Sequence, residues 1–428
     1  MTQRYDTYKD SGVQWLGEIP GHWERNKVVR LFKQIGSGTT PSSGEASLYA
    51  DEGTPWLQSG DFNNNEINST SKFVTDKALD NYGLRLYNPG GVVIAMYGAS
   101  IGKVGLLNIA TTVNQACCVL SDSDHLLQKF SFYVFINEKD NLVKKSKGGT
   151  QPNISQEIIK SHYIPLPPLS EQRSIVSYLD DKCGKIDEWV TKKQKEVEHL
   201  QELKQRVIAD AVTRGLNPHV KMKTTNIPWL KEIPEHWEVK PIRAILRENT
   251  DKTETGDEEL LSLSQYTGIS RKKDAAKIGM FEAESTVGYK KVHPGQFVMN
   301  IMLAWNGSYA VSEFEGIISP AYCVFDFISK DEKMYYNYLW RLSMYQGAFK
   351  TESRGIIDSR LRLYPNKFLP FPTICPPIEE QKQIVSYLDA KCSKIDKLIA
   401  NIAKEIERIK EYKQRLISDV VTGQIKVC

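Results

Sequence analysis

Trp15-Leu16-Gly17-Glu18-Ile19-Pro20-Gly21-His22-Trp23-Glu24 returns 214 positions later as Trp229-Leu230-Lys231-Glu232-Ile233-Pro234-Glu235-His236-Trp237-Glu238. A second stretch, Glu171-Gln172-Arg173-Ser174-Ile175-Val176-Ser177-Tyr178-Leu179-Asp180, returns at a spacing of 209 as Glu380-Gln381-Lys382-Gln383-Ile384-Val385-Ser386-Tyr387-Leu388-Asp389. The match runs on through Lys182-Cys183 and Lys391-Cys392, Lys185-Ile186-Asp187 and Lys394-Ile395-Asp396, then Lys204-Gln205-Arg206 and Lys413-Gln414-Arg415. Identity at this density is a duplication, and internal repeats take precedence over any residue-level reading of a fold. The 428 residues are two copies of one module, a globular part followed by a helix.

Between the matched blocks the copies diverge. Two echoes remain at a spacing of 205: Asn88-Pro89-Gly90-Gly91-Val92-Val93 against Val292-His293-Pro294-Gly295-Gln296-Phe297-Val298, and Gln115-Ala116-Cys117-Cys118-Val119 against Pro320-Ala321-Tyr322-Cys323-Val324. The variable parts are therefore expected to share one fold and to differ on their surfaces, as two related scaffolds that recognise different things.

The second repeated block reads as a long amphipathic helix. In the first copy Leu179, Cys183, Ile186, Val190, Val197, Leu200, Val207 and Ala211 fall at alternating spacings of three and four, interrupted by Lys193 and Lys204. In the second, Leu388, Cys392, Ile395, Ile399, Ile402, Ile406, Ile409, Leu416 and Val420 do the same, broken by Lys413. A seven-residue period sustained this long is a coiled-coil seam. Ser170 is the expected N-cap of the first helix, with Glu171 in its first turn. Gly215 and Pro218 close it, and Gly423 falls near the end of the second. About 38 residues at about 1.5 Å each predict a rod of about 57 Å. Nothing else in the sequence matches either seam, so the helices are expected to pair antiparallel; the alternative is that each packs on its own domain. The fold class is α+β, with segments 1–165 and 217–375 globular and 166–216 and 376–428 helical.

Composition excludes more than it identifies. The net charge of +4, from 56 basic against 52 acidic residues, is too balanced to announce a nucleic-acid partner. No apolar run approaches the roughly eighteen residues of a membrane span, and the start lacks a secretory core. Seven cysteines without Cys-x-x-Cys pairs read as reduced thiols of a cytoplasmic protein. No phosphate-binding loop, dinucleotide fingerprint, zinc-protease helix, nucleophile elbow or metal-ligand cluster is present, nor the Asn/Asp-Pro-Pro-aromatic signature of an amino-methyltransferase. Gly98-Ala99-Ser100-Ile101-Gly102-Lys103-Val104 is too short for a phosphate loop. His22 and His236 are expected to serve packing. No covalent chemistry and no cofactor are expected of this chain.

With the duplication, the heptads and the missing catalytic motifs together, the chain resembles the specificity subunits of type I restriction–modification systems over essentially its whole length. The resemblance rests on Trp-Leu-x-Glu-Ile-Pro-x-His-Trp at the head of each half and on Ile164-Pro165-Leu166-Pro167-Pro168-Leu169-Ser170-Glu171-Gln172 leading into the helix. The second copy departs slightly, with Phe371-Pro372-Thr373-Ile374-Cys375-Pro376-Pro377-Ile378-Glu379-Glu380-Gln381 in that place. It implies two target-recognition domains, each reading one half of a split site in double-stranded DNA. It also implies helices that fix the gap and dock two methyltransferase subunits, which bind S-adenosylmethionine. Two motor-nuclease subunits using ATP and Mg would join them. Readers held at a fixed separation make half-site spacing a geometric constant, and linking two modest binders raises joint affinity.

The best DNA-contacting candidate in the first variable region is Lys144-Lys145-Ser146-Lys147-Gly148-Gly149-Thr150-Gln151-Pro152-Asn153. Lys144, Lys145 and Lys147 can neutralise phosphates; Gln151 and Asn153, beside Thr150, can pair with adenine edges. Gln58 and Ser59 lie in Trp56-Leu57-Gln58-Ser59-Gly60-Asp61, where Trp56 is expected in the core, and Ser100 and Lys103 in the turn Tyr97–Lys103. In the second region Gln265, Tyr266 and Asn306 take the places of those segments. Arg354 and Arg360, either of which Asp358 could hold in a salt bridge, replace the glutamine-containing loop. Unlike residues at matching places predict an asymmetric bipartite target. The aromatic run Tyr335–Trp340 is expected to pack rather than to stack on bases. Two alternatives remain open: a protein-interaction scaffold that does not read DNA, and a subunit serving a combined restriction–methylation polypeptide.

Overall fold

The computed structural model describes residues 3–146, 152–265, 268–274, 285–355 and 361–427. The chain divides into two compact units, one of Met1–Lys193 with Ala403–Cys428 and the other of Gln194–Ile402. Each holds one variable part, the start of the helix that follows it, and the end of the other helix.

Both units are built on one sheet pattern. In the first, strands run in the order Gln34–Ser37, Cys117–Ser121, Val92–Ala95, Val104–Leu107, Asn65–Ile67; in the second, Leu246–Asn249, Tyr322–Phe327, Phe297–Asn300, Tyr309–Val311. The central register is also the same: Val93 faces Val119 in one and Val298 faces Val324 in the other. The central strands carry unbroken apolar runs because both sheet faces are covered. Ile94, Leu106, Cys118 and Leu120 join Phe130 and Val134 of the helix Gln128–Lys144, while Val93, Ala95, Cys117 and Val119 pack on Leu57, Phe62 and Val113. Adjacent Cys117 and Cys118 thus point to opposite faces, as strand alternation requires. The six described cysteines are unpaired and buried.

The first long helix spans Leu169–Arg214, 46 residues, and the second Ile378–Val421, 44 residues. Ser170 is not the N-cap: the helix starts one residue earlier, and the Gln172 amide donates to the Pro168 carbonyl at 3.0 Å. The restricted φ of Pro168 suits the turn entering a helix, and leaves Ser170 in the first turn. Gly215 and Gly423, at φ +78° and +75°, end the helices in the left-handed conformation that glycine adopts freely.

Within each unit the helices run antiparallel. In the first, Trp23 touches both Glu171 and the surroundings of Gly423, while Asp187 binds Lys413 at 2.6 Å. In the second, Gly215 lies against Glu380, and Lys204 binds Asp396 at 2.7 Å. Lys204 and Lys413, which interrupt the heptads, are thus matched to aspartates at equivalent positions of the repeat. Of the seam, Leu179, Ile186, Leu388, Ile395, Ile402, Ile406 and Leu416 are buried, whereas Val190, Val197, Leu200, Val207, Ile399 and Ile409 are half-buried. The helices also pack on the globular parts: Leu179 and Cys183 share a core with Phe132 and Tyr133, and Leu388 and Cys392 share one with Tyr335 and Tyr336. Pairing and domain packing occur together.

The duplicated identities are explained by one docking scheme. Glu171 accepts from Trp23 Nε1 at 2.8 Å and Tyr5 hydroxyl at 3.0 Å, with His22 Nε2 at 2.5 Å. Glu380 takes Trp237 Nε1 at 2.9 Å and His236 Nε2 at 2.8 Å. The next residue, Gln172 or Gln381, clamps the loop before the sheet helix: its Oε1 accepts from Leu127 N or Glu332 N, at 2.8 Å in both. Tyr133 and Tyr338 then donate to Asp180 and Asp389, each at 2.7 Å. Burial pushes the Glu171 carboxyl up, but the bonds from Trp23, His22 and Tyr5 outweigh it and hold the group below its usual range. A carboxyl depressed on folding stabilises above its unfolded pKa of about 4.3 and loses that contribution as pH falls through the folded value. Glu171→Gln is therefore expected to lower stability at neutral pH and to flatten the acid limb of a Tm-versus-pH profile; an unchanged acid limb would contradict the scheme.

Candidate nucleic-acid interface

In the first unit the candidate segments meet at one end of the sheet. Strand Thr54–Leu57 delivers Gln58 and Ser59; the Leu57 carbonyl accepts from Asn114 N at 3.0 Å, and Asp61 caps the Gln58 amide at 2.8 Å. Trp56, in the same segment, is buried. Gly98–Lys103 connects Val92–Ala95 to Val104–Leu107, closed by the Gly102 amide on the Ala95 carbonyl at 2.8 Å. Gly98 and Gly102 both have positive φ, which lets this turn fold back tightly. Ser100 and Lys103 are half-buried in it. Tyr97 bridges Asn153, and Ile154 N donates to Met96 O at 2.8 Å, so the two candidate loops lie side by side. Gln115 joins the group through the Thr40 hydroxyl and the Tyr97 phenol. Lys144 and Lys145 are both exposed at the helix end, and the Lys145 ammonium stands 3.3 Å from Nδ1 of a buried histidine, His162. Lys147, Thr150 and Gln151 lie outside the described residues.

The second unit assembles different side chains on the same frame. Strand Leu261–Ser264 ends at Gln265, whose Oε1 accepts from Asn306 Nδ2 at 2.6 Å. Arg341 reaches the Tyr309 carbonyl at 2.7 Å and the Gln265 carbonyl at 3.3 Å, and burial lowers its guanidinium from the usual value. Lys350 sits 4.9 Å over the Trp305 ring. Arg354 is exposed and bridges Arg362, and Leu363 N donates to Ile301 O at 2.9 Å. That last bond repeats the one from Ile154 to Met96, so Arg362 stands where Asn153 stands in the first unit. Tyr266, Asp358 and Arg360 lie outside the described residues.

Sequence reading overlooked Arg362, although the 209-residue spacing of the helix block, applied to Asn153, leads to it. Gln115 and Thr40 were overlooked too; only the sheet order brings them beside Tyr97. The run Tyr335–Trp340 packs as expected, with Tyr335, Tyr336, Leu339 and Trp340 buried. Among the described residues no cluster of histidine, cysteine and carboxylate side chains is placed to hold a metal ion, and no helix is long and apolar enough to cross a membrane.

Two loop-bearing domains on a shared frame match a known family. The model of the type I restriction modification DNA specificity domain fits residues 20–199 and again 234–408. The chain belongs to the type I restriction–modification specificity family. It is 25% identical over 439 aligned positions to the type I restriction enzyme MjaVIII specificity subunit of Methanocaldococcus jannaschii, covering 96% of this chain and 94% of the relative. Its fold is similar to that of a chain solved in work on complex assembly and conformational transition of the type I R-M system, with a TM-score of 0.66 and 15% identity over 94% of this chain and 98% of that one. The HsdS subunit from Thermoanaerobacter tengcongensis aligns over 95% and 98% with a TM-score of 0.50 and 16% identity. The chain is thus a DNA-specificity subunit, the non-catalytic member of a restriction–modification complex.

Proposed function

We propose that each unit reads one half of an asymmetric, bipartite DNA site, and that the long helices set the gap and dock the methyltransferase subunits. The observation that carries this is the placing of unlike residues on equivalent loops: Asn153 against Arg362, and the Gly98–Lys103 turn against Asn306 with its partner Gln265. Asparagine and glutamine suit adenine edges, whereas arginine suits guanine, so the halves should differ. Lys103 and Lys144 supply phosphate contacts in the first unit, and Arg354 in the second. Gln58, Ser59 and Ser100 line the first face. Gln151, Thr150, Lys147, Tyr266 and Arg360 belong to the same reading by their place in the sequence. In this reading the partners are double-stranded DNA, two methyltransferase subunits with S-adenosylmethionine, and two ATP- and Mg-dependent motor-nuclease subunits.

Co-expression with the methyltransferase subunit, followed by genome-wide mapping of N6-methyladenine, tests it. The expected result is a new motif of two short, different halves around a fixed gap. A palindromic motif would overturn the asymmetry. Unchanged methylation despite co-purification would favour the scaffold alternative.

A further inference from the structure

In the second unit two side chains from different loops are joined amide to amide. Gln265 follows the strand Leu261–Ser264, and Asn306 closes the helical turn Ala304–Asn306. Asn306 Nδ2 donates to Gln265 Oε1 at 2.6 Å. That bond leaves Asn306 Oδ1 to accept and Gln265 Nε2 to donate, and neither atom has another partner among the described residues. Reversing both amides keeps the bond and again leaves one oxygen and one NH2 free, so the pattern holds whichever way round they stand. Asn306 is exposed and Gln265 half-buried, so the pair is reachable from solvent. In the major groove adenine presents an acceptor, N7, beside a donor, N6. Guanine presents two acceptors, cytosine a donor, and thymine an acceptor beside a methyl group. A free oxygen next to a free NH2 therefore satisfies adenine fully and each other base only in part.

Both amides are carried by segments that one cation ties together. Arg341 donates from Nη2 to the Tyr309 carbonyl at 2.7 Å and from Nη1 to the Gln265 carbonyl at 3.3 Å. Tyr309 lies three residues beyond Asn306, so the same guanidinium holds the backbone on either side of the pair. The Arg341 carbonyl takes Gln346 Nε2 at 3.1 Å, and a Cβ on Gly307, next to Asn306, would stand 2.6 Å from that nitrogen. Gly307 ends the turn at φ +81°, a conformation that glycine adopts freely. Among the described residues no carboxylate pairs with Arg341, and its Nε is enclosed without a partner. Taking a cation out of water is costly unless it is paired, and the bonds that its guanidinium makes in return go to these two carbonyls. We propose that Gln265 and Asn306 together read a single adenine, and that Arg341 is the positioning residue that holds them in place to do so. This deepens the reading of the second unit as the reader of one half-site, on which it rests.

The test is the map of N6-methyladenine made by the full chain with its methyltransferase subunits, read also at sites that differ from the motif by one base pair. In the half-site that follows residues 242–371 in a domain exchange, one A·T pair should be favoured about 5- to 150-fold over other bases. Gln265→Ala and Asn306→Ala should each remove most of that preference at the same position, and the double variant should do little more than either alone. Asn306→Asp, which leaves only oxygens free, should move the preference toward cytosine, whose N4 donates. Arg341→Met should relax the same position while the rest of the half-site and the gap stay fixed. Arg341→Lys, which can still hold one carbonyl, should restore part of the preference. A residue that served stability alone would lower methylation at every site alike, and that result in both Arg341 variants overturns its positioning role. Asn306 is exposed, so its truncation leaves the core intact and judges the pair by itself. Relaxation at two different positions, or at a G·C pair, overturns the shared reading. Alanine variants that leave an asymmetric bipartite motif unchanged overturn it too, while the second unit still reads its half through other residues. If the wild-type motif is not bipartite, or the variants relax the other half, the half-site assignment falls as well.

Discussion

Exchanging residues 242–371 for the corresponding region of another family member is expected to replace one half of the methylated sequence completely, leaving the other half and the gap unchanged. The chain enters this region along Glu238–Pro241 and leaves along Pro372–Cys375, and these strands pair directly, Lys240 with Thr373. Strands Glu24–Lys27 and Tyr163–Leu166 make the same pair in the first unit. A junction placed there cuts no sheet of the recognition core. Both long helices and the Glu380 and Gln381 contacts at the helix start lie outside the exchanged segment, except that Gln381 bonds Asp331 and Glu332. A donor should therefore keep a backbone amide at the Glu332 position. Methylome mapping reads the outcome, and a change in both halves, or in the gap, would contradict the assignment of one half-site to each unit.

Trp340→Ala should be the most damaging single substitution in the second unit. Its ring is completely buried, stacks on Tyr336 at 5.0 Å, meets Phe297 edge-on at 5.1 Å, and donates from Nε1 to the buried Thr373 hydroxyl at 2.9 Å. Truncating a core tryptophan to alanine costs about 3–5 kcal/mol, and an orphaned buried hydroxyl adds about 1–3 kcal/mol. Against a whole-domain stability of about 5–15 kcal/mol, that removes a large share of the unit's margin. Urea titration of the full chain should show the loss, with Trp340→Phe costing much less. Equal loss from the two variants would mean that the indole hydrogen bond, rather than ring volume, is what Trp340 contributes.

The duplication, the helices and a common fold of the two variable parts were legible in the sequence, because each leaves a period or a direct identity. Val92–Ala95 and Phe297–Met299 are apolar throughout, as strands covered on both faces require, and the 205-residue spacing of the echoes holds in the register. Helix ends were legible where glycine demands a special φ, as at Gly215, and misread where a serine could have capped but a proline had already set the turn. The interface was legible only in part. Gln58, Tyr97 and Asn153 come together through sheet order, which no local pattern encodes, and Arg362 was hidden because its counterpart is an asparagine. Lys145 read as one more basic loop residue; its partner His162 lies seventeen positions away and looks unremarkable until the sheet helix brings Glu138 to its other side.

The division of the chain into a contiguous second unit and an interrupted first one has a consequence for synthesis. The core of the first unit includes Leu416, Ile417, Val420 and Val421, made some two hundred residues after the rest of it. At the usual elongation rate of about 5–20 residues per second, the nascent first domain waits on the order of ten to forty seconds with the part of its core that Leu416, Ile417, Val420 and Val421 complete still open. The segment that comes second in the gene is thus the first able to close its core, and the ribosome-bound chain presents an apolar stripe to chaperones throughout that interval.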